Sequence, residues 1–247
     1  MSEPPLVYDA PGFCPICEKQ RRFTAKYDWY RDHLFCSGCG SIPRERAVAL
    51  VLKECFPDWR RLRIHESSPE PRGVSAKLAR ECRRYVATQF FPGEALGAVV
   101  NGFRNENLER QTFADRSFDL VVSLDVMEHV NEPELCFKEI WRTLSPGGAY
   151  VFTAPTYKEE TATRRAARFL PDGSIEHFRE PEYHGNPVNP QGALVTFRYG
   201  YDFAALIAGW ALFSVEVRRF HDAYHGIIGE FTETYICTRT DEPAPRA

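Results

Sequence analysis

The sequence predicts an α/β fold built on a mostly parallel sheet, and three observations carry that prediction. Residues 118–124 and 149–154 are short apolar runs rich in β-branched and aromatic side chains, the composition of strands buried on both faces. Between them Leu135, Phe137, Ile140, Trp141 and Leu144 recur at helical spacing, behind Glu132, Pro133 and Glu134 and ahead of Pro146-Gly147-Gly148. Strand, helix and strand joined by short turns make a βαβ unit, whose parallel strands need cover on both faces. Ligands of such sheets bind at the carboxyl ends of the strands, so Ser123 to His129 stand where chemistry is expected.

The other elements follow in order. Residues 1–12 hold three prolines and little periodicity and read as an arm. A helix over 44–55 presents Ala47, Val48, Leu50, Val51 and Cys55 and stops before Pro57. A strand over 62–66, a turn over 67–73, a helix over 74–82 and a second strand over 85–88 lead towards the βαβ unit. The polar, aperiodic stretch 156–199 is long enough to be a functional lid, with a short helix expected at 161–170. A helix over 201–207 and strands over 211–217 and 232–238 close the sheet as an antiparallel edge pair, and 241–247 is expected to be a disordered tail.

At 247 residues the chain has room for one α/β core and one small module. A net charge of −3 gives no global attraction for a polyanion, and there is neither an eighteen-residue apolar span nor a basic, apolar leader. The expected address is the cytoplasm, with no membrane partner. Oligomeric state is not written in the composition.

Four of the eight cysteines form two CxxC pairs, Cys14/Cys17 and Cys36/Cys39, eighteen residues apart. That spacing brings two turns onto one tetrahedral ion, and four thiolates suit structural Zn²⁺. With Phe23, Tyr27, Trp29, Tyr30 and Phe35 between the pairs, residues 1–43 look like a zinc ribbon, leaving 44–247 as the second domain. Ribbons often grip nucleic acid. Residues 1–46 hold seven Lys and Arg against six Asp and Glu, however, which does not favour RNA, although Lys19, Arg21, Arg22, Lys26 and Arg31 could form a local patch.

The segment FDLVVSLDVMEHV, the helix bearing FKEIWRTLSPGG and the strand YVFTAP together strongly resemble the middle of class I S-adenosylmethionine-dependent methyltransferases of type 11. The resemblance implies a Rossmann-like, seven-stranded, mostly parallel sheet, and S-adenosylmethionine as cofactor. It places Ser123, Leu124 and Asp125 beside the methionine part. At the glycine-rich loop of that family this chain has IHESSPEPRG instead, so His65, Glu66 and Ser67 are the candidates there. Gln89 stands where the family carries a ribose-binding carboxylate, and Glu106 and Asn107 where an acidic or amide side chain meets adenine.

For the acceptor, His184, Tyr183 and His129 are candidates for substrate binding and proton removal, since imidazole titrates near neutral pH. Tyr157, Arg164, Arg165, His177 and Asn186 are candidate substrate contacts, the arginines suiting an anionic acceptor. The favoured activity is O-methylation of a small molecule or glycan. Two alternatives stay open: an RNA methyltransferase gripping RNA through the ribbon, and a non-enzymatic scaffold if the glycine-poor loop fills the cofactor cleft.

Overall fold

A computed structural model describes residues 5–185 and 191–241; Asn186 and the tail beyond 241 lie outside them. The N-terminal module is a three-stranded antiparallel sheet of β1 (Tyr8–Cys14), β2 (Lys19–Ala25) and β3 (Phe35–Cys36), with the single-turn α1 (Tyr30–His33) before β3. The expected arm is thus shorter than 1–12, because β1 pairs with β2 from Tyr8 onward. Helix α2 (Pro43–Cys55) starts with proline in its first turn, and Glu45 accepts the Ile42 amide at 2.9 Å.

The large sheet holds β4 (Ile64–Ser67), β5 (Tyr85–Gln89), β6 (Val99–Val100), β7 (Phe103–Asn105), β8 (Phe118–Leu124) and β9 (Leu144–Thr153). The described residues of the lid follow as six strands of two or three residues: β10 (Arg164–Arg165), β11 (Ala167–Phe169), β12 (Ile175–His177), β13 (Tyr183–His184), β14 (Ala193–Leu194) and β15 (Phe197–Arg198). Strands β16 (Phe213–Arg218) and β17 (Thr234–Arg239) return to the sheet, whose order is β16-β17-β9-β8-β4-β5-β7-β6. The seven expected strands are joined by an eighth, the two-residue β6, antiparallel to β7. Chain order reverses between β4 and β8, which makes their carboxyl ends the topological switch point.

Successive residues of β8 face opposite layers. Leu120 and Val122 pack with Val48 and Val51 of α2 and Val74 and Leu78 of α3 (Gly73–Glu81). Val121 packs on the other face with Phe137 and Ile140 of α4 (Pro133–Thr143) and Phe203 and Ile207 of α5 (Phe203–Trp210). Burial on both sides accounts for the apolar run Leu120–Val122 at the centre of β8, while Asp119, near its start, is partly exposed and pairs with Arg63 at 2.6 Å.

The lid corrects one expectation. Residues 161–170 form no helix; β10 pairs with β15 and β11 with β12. Asp202 Oδ1 accepts from both the amide and the hydroxyl of Thr163 at 2.7 Å, and Ala166 donates its amide to Thr196 at 2.7 Å, so long-range bonds hold the chain extended.

Candidate active site

A cavity of about 2080 Å³ opens over the carboxyl ends of β4, β5 and β8. It exceeds the 300–1000 Å³ typical of one small ligand, so two molecules fit side by side. Among the described residues its walls carry ten Asp and Glu but only Arg31 and Arg44 as arginine or lysine side chains. Asp32, Glu45, Glu106, Asp125, Glu182 and Glu230 are paired with arginine or lysine, so the acidic excess rests on Glu70, Glu94, Glu109 and Glu159, which favours a neutral or cationic ligand over a polyanion.

The loop after β4 lines this space without filling it. Ser67, Ser68 and Glu70 border the cavity, with Ser68 in the left-handed region at φ 55° and its amide donated to Thr88 at 2.8 Å. A serine occupies this backbone region only at some cost, and the loop follows its path without the glycines that the resemblance implies.

Five cofactor candidates border the cavity with groups able to contact a ligand: Ser67, Gln89, Asn107, Leu124 and, through its loop, Asp125. Gln89 ends β5 beside Phe90 and Phe91, an aromatic edge the sequence reading did not single out. Glu106 also lines the wall, but its carboxylate is occupied: Arg104 Nε donates to it at 2.7 Å, the Thr112 amide at 2.8 Å, and the Thr112 hydroxyl makes a further short bond. It is a brace for the loop rather than a free acceptor.

Three other cofactor candidates are placed in the core. His65 is fully buried between Phe113 and Phe118, bonded to the Thr88 hydroxyl at 2.8 Å, and burial followed by nearby Arg104 depresses its pKa to about 3. Glu66 turns towards Ser75 and the Tyr85 hydroxyl at 2.5 and 2.8 Å, and desolvation pushes its pKa up to about 7. Ser123 bonds Tyr150 at 2.6 Å inside the sheet. Period-two alternation explains these placements: a residue on a strand near its end faces a packed layer, while the loop just beyond meets the ligand.

Among the acceptor candidates, His129, His184 and Tyr157 line the cavity. Tyr157 lies against Phe231, with the Arg198 guanidinium 3.4 Å over its ring, and burial raises its hydroxyl pKa to about 12. Tyr183 is 54% exposed and points away, because neighbours on a strand face opposite sides and His184 takes the inward one. Arg164 pairs with Glu160, while Arg165 pairs with Glu132 and stacks on Phe197, so neither arginine meets the cavity. His177 is exposed on the β11–β12 hairpin.

A 3₁₀ turn, Met127–His129, follows β8 and carries Glu128. The lid fastens this turn: Thr196 donates its amide and hydroxyl to the Glu128 carbonyl at 2.7 and 2.9 Å, and Tyr199 bonds the Met127 carbonyl at 2.7 Å. His129 Nε2 and His184 Nδ1 each stand 3.8 Å from Glu128 Oε1. The Glu128 carboxylate, with Glu182 behind it, raises the pKa of His184. Glu128 was legible only as half of an acidic residue–histidine pair after a strand.

Asp125 sits in the left-handed region at φ 52°, its carboxylate 13% exposed. Arg31 Nη2 and Arg44 Nε donate to it at 2.5 and 2.8 Å, and Thr153 at 2.8 Å. Burial alone would raise its pKa; Arg31 and then Arg44 outweigh burial and hold it at about 2. Its partner is therefore the N-terminal module, whose Trp29, Arg31 and Asp32 form one wall of the cavity.

The four clustered cysteines converge as their spacing requires. Cys14 and Cys39 Sγ are 3.8 Å apart, as are Cys17 and Cys36 Sγ. Sulfurs placed tetrahedrally at about 2.3 Å from Zn²⁺ stand about 3.8 Å from each other, so the set fits that ion. The Cys17 and Gly38 amides point at Cys14 and Cys36 sulfur at 3.4 Å, as outer-shell donors to thiolates do. Arg22 pairs with Asp9 and Arg31 with Asp125, which removes two members of the patch considered for nucleic acid.

Residues 73–152 match a family model described as a methyltransferase domain. A ubiquinone biosynthesis O-methyltransferase of Rhizobium etli is 29% identical over 128 residues, 48% of this chain and 51% of that protein. The chain spans about half the length of the curated relatives it matches. Among solved structures, the glycopeptide N-methyltransferase MtfA complexed with S-adenosylhomocysteine is 12% identical with a TM-score of 0.51, over 81% of this chain and 90% of that one. The 1,6-didemethyltoxoflavin-N1-methyltransferase of Burkholderia thailandensis is 11% identical with a TM-score of 0.50, over 81% and 79%. At these identities the two structures speak for the fold alone. Over residues 73–152 the chain is thus similar to a methyltransferase domain, and its α/β fold is that of S-adenosylmethionine-dependent methyltransferases.

Proposed function

We propose that this protein binds S-adenosylmethionine at the carboxyl ends of β4 and β5 and transfers its methyl group to an oxygen of a small, uncharged or cationic acceptor. The observation that carries this reading is the acid-lined cavity, large enough for both molecules, bounded by Ser67, Gln89 and Asn107 on one side and His129 and His184 on the other. Bound there, the cofactor supplies an electrophilic methyl group on a positively charged sulfur. Gln89 and Asn107 offer amide donors and acceptors for ribose and base, and Phe90 an apolar edge. At the other end His129 and His184, with Glu128 behind them, promote loss of the acceptor's proton, and Tyr157 orients the acceptor without losing its own. Holding the two reactants in line, away from water, supplies much of the rate. The relative named as an O-methyltransferase supports oxygen as the acceptor atom.

The same reading assigns residues 1–43 as a structural zinc module that completes the cavity wall through Arg31. The excess of acidic lining speaks against an RNA acceptor, and the unfilled cavity against a scaffold without cofactor. Calorimetry with S-adenosylmethionine and S-adenosylhomocysteine tests the core of the proposal. We expect micromolar binding of both; no heat at millimolar cofactor overturns it.

A further inference from the structure

Glu128 is 1% exposed, and neither of its carboxylate oxygens has a hydrogen-bond partner. A buried carboxylate left this way loses its hydration without replacement, at a cost of several kcal/mol, so such a group calls for a ligand. Among the described residues its neighbours on the cavity side are two imidazoles, His129 Nε2 and His184 Nδ1, both 3.8 Å from Oε1 and too far for a hydrogen bond.

The far nitrogens of these rings fix what the near ones carry. His129 Nδ1 lies 2.9 Å from the Leu194 carbonyl, which can only accept, so the proton of the neutral ring sits on Nδ1 and Nε2 keeps its lone pair. His184 Nε2 lies 3.1 Å from Glu182 Oε1, another acceptor, so Nδ1 of that ring keeps its lone pair as well. One carboxylate oxygen and two imidazole lone pairs therefore face one another within 4.8 Å. Each imidazole has its second nitrogen anchored on a carbonyl or a carboxylate, the arrangement that orients histidine ligands of metals.

We propose that Glu128, His129 and His184 bind one divalent transition-metal ion at the acceptor end of the cavity. With two nitrogens in three donors, the set suits Mn²⁺, Fe²⁺, Co²⁺ or Zn²⁺ better than Mg²⁺ or Ca²⁺, which take oxygen. Donors about 2.1 Å from an ion stand roughly 3.0 to 3.4 Å apart, so the 3.8 Å pairs close by about half an ångström on binding. Asp125, one turn earlier, is excluded as a ligand by Arg31, Arg44 and Thr153. Three protein ligands leave coordination positions facing the cavity, unlike the closed four-cysteine cluster. The binding site stands without reference to any reaction. Its role rests on the methyl-transfer reading: an acceptor hydroxyl on the ion has a lowered pKa and releases its proton to solvent.

The test uses full-length protein with the cysteine cluster zinc-loaded, titrated with Mn²⁺ by electron paramagnetic resonance and with Co²⁺ by visible absorption. We expect one further equivalent of each ion, with affinity falling at least tenfold in Glu128→Gln and in His184→Ala while melting temperatures stay close to wild type. Failure of the wild type to bind either ion at millimolar concentration overturns the site, as does unchanged binding in both variants. Cofactor calorimetry run alongside separates the two readings: ion binding without cofactor binding sinks methyl transfer alone, and cofactor binding without ion binding sinks the metal alone.

Discussion

Arg31, carried by the cysteine-bearing N-terminal module, donates from Nη2 to the Asp125 carboxylate at 2.5 Å, at the mouth of the β8 strand. Arg44 shares that oxygen at 2.8 Å and also reaches Asp32 at 2.6 Å. Removing Asp125 leaves two guanidiniums facing each other with one carboxylate between them. Breaking a largely buried pair typically costs about 3–5 kcal/mol, and at roughly 2–4 °C per kcal/mol for a chain of this size we expect Asp125→Ala to lower the melting temperature by on the order of 10 °C. The double variant with Arg31→Met should recover part of the loss. A strictly additive double variant, measured by denaturant melts, would show that the pair is not coupled.

The cysteine cluster predicts one tightly held zinc ion per chain, measured by elemental analysis. Cys36→Ser should lower the melting temperature by several degrees and loosen cofactor binding, because Trp29 and Arg31 of the same module line the cavity. Unchanged melting and unchanged affinity together would remove the metal from the wall.

For the acceptor end, His184→Ala is expected to reduce kcat by about 10²-fold or more, the usual weight of a proton-handling group, with little change in the dissociation constant of S-adenosylhomocysteine. Tyr183→Phe should leave both near wild type, since Tyr183 faces solvent. Equal losses for both variants would mean that the lid strand matters only as a unit.

Glu66 gives a prediction in pH. Its folded pKa, about 7, lies above the ordinary carboxyl value of 4.5, so its contribution to stability is fully present below about pH 4.5 and is lost as pH rises through 7. At 1.36 kcal/mol per unit the effect is roughly 3 kcal/mol. His65, held neutral by burial, acts in the opposite direction, since its stabilisation is lost as pH falls from about 6.5 towards 3. The wild-type profile mixes the two. The difference between Glu66→Gln and wild type isolates Glu66, and it should move in favour of the variant by several degrees between pH 5 and pH 8. A difference that stays flat across that range would reject the buried, protonated carboxyl.

The sheet was readable because its signals are local. The apolar run of β8, the stripe of α4 and the two CxxC pairs each declare themselves within a dozen residues or by fixed spacing. The site was readable only in part. Gln89, Asn107, Leu124, His129 and His184 reach the cavity as their positions after strand ends suggest. Alternation along a strand decided the remainder, turning His65, Ser123 and Tyr183 away, and a one-residue shift is beyond what apolar patterning resolves. The arginines of the lid looked free in sequence because their partners, Glu160 and Glu132, are set by packing. Nothing near Asp125 in the sequence announces that Arg31 will neutralise it from 94 positions away.

Arg46 lies wholly out of solvent in α2, bonding the Leu34 carbonyl at 3.0 Å, the Ser41 carbonyl and, at 2.6 Å, the Gly226 carbonyl 180 residues later. A chain emerging from the ribosome makes the first two of these bonds early and must wait for the segment around Gly226 to make the third. Until residues around 226 appear, the cysteine-bearing module is held on the sheet by Arg31 and Asp125 but lacks this second anchor, and a nascent chain halted before then would leave the Arg46 guanidinium short of a partner. A change in the backbone around Gly226 should therefore be felt at Leu34 and Ser41, far away in sequence.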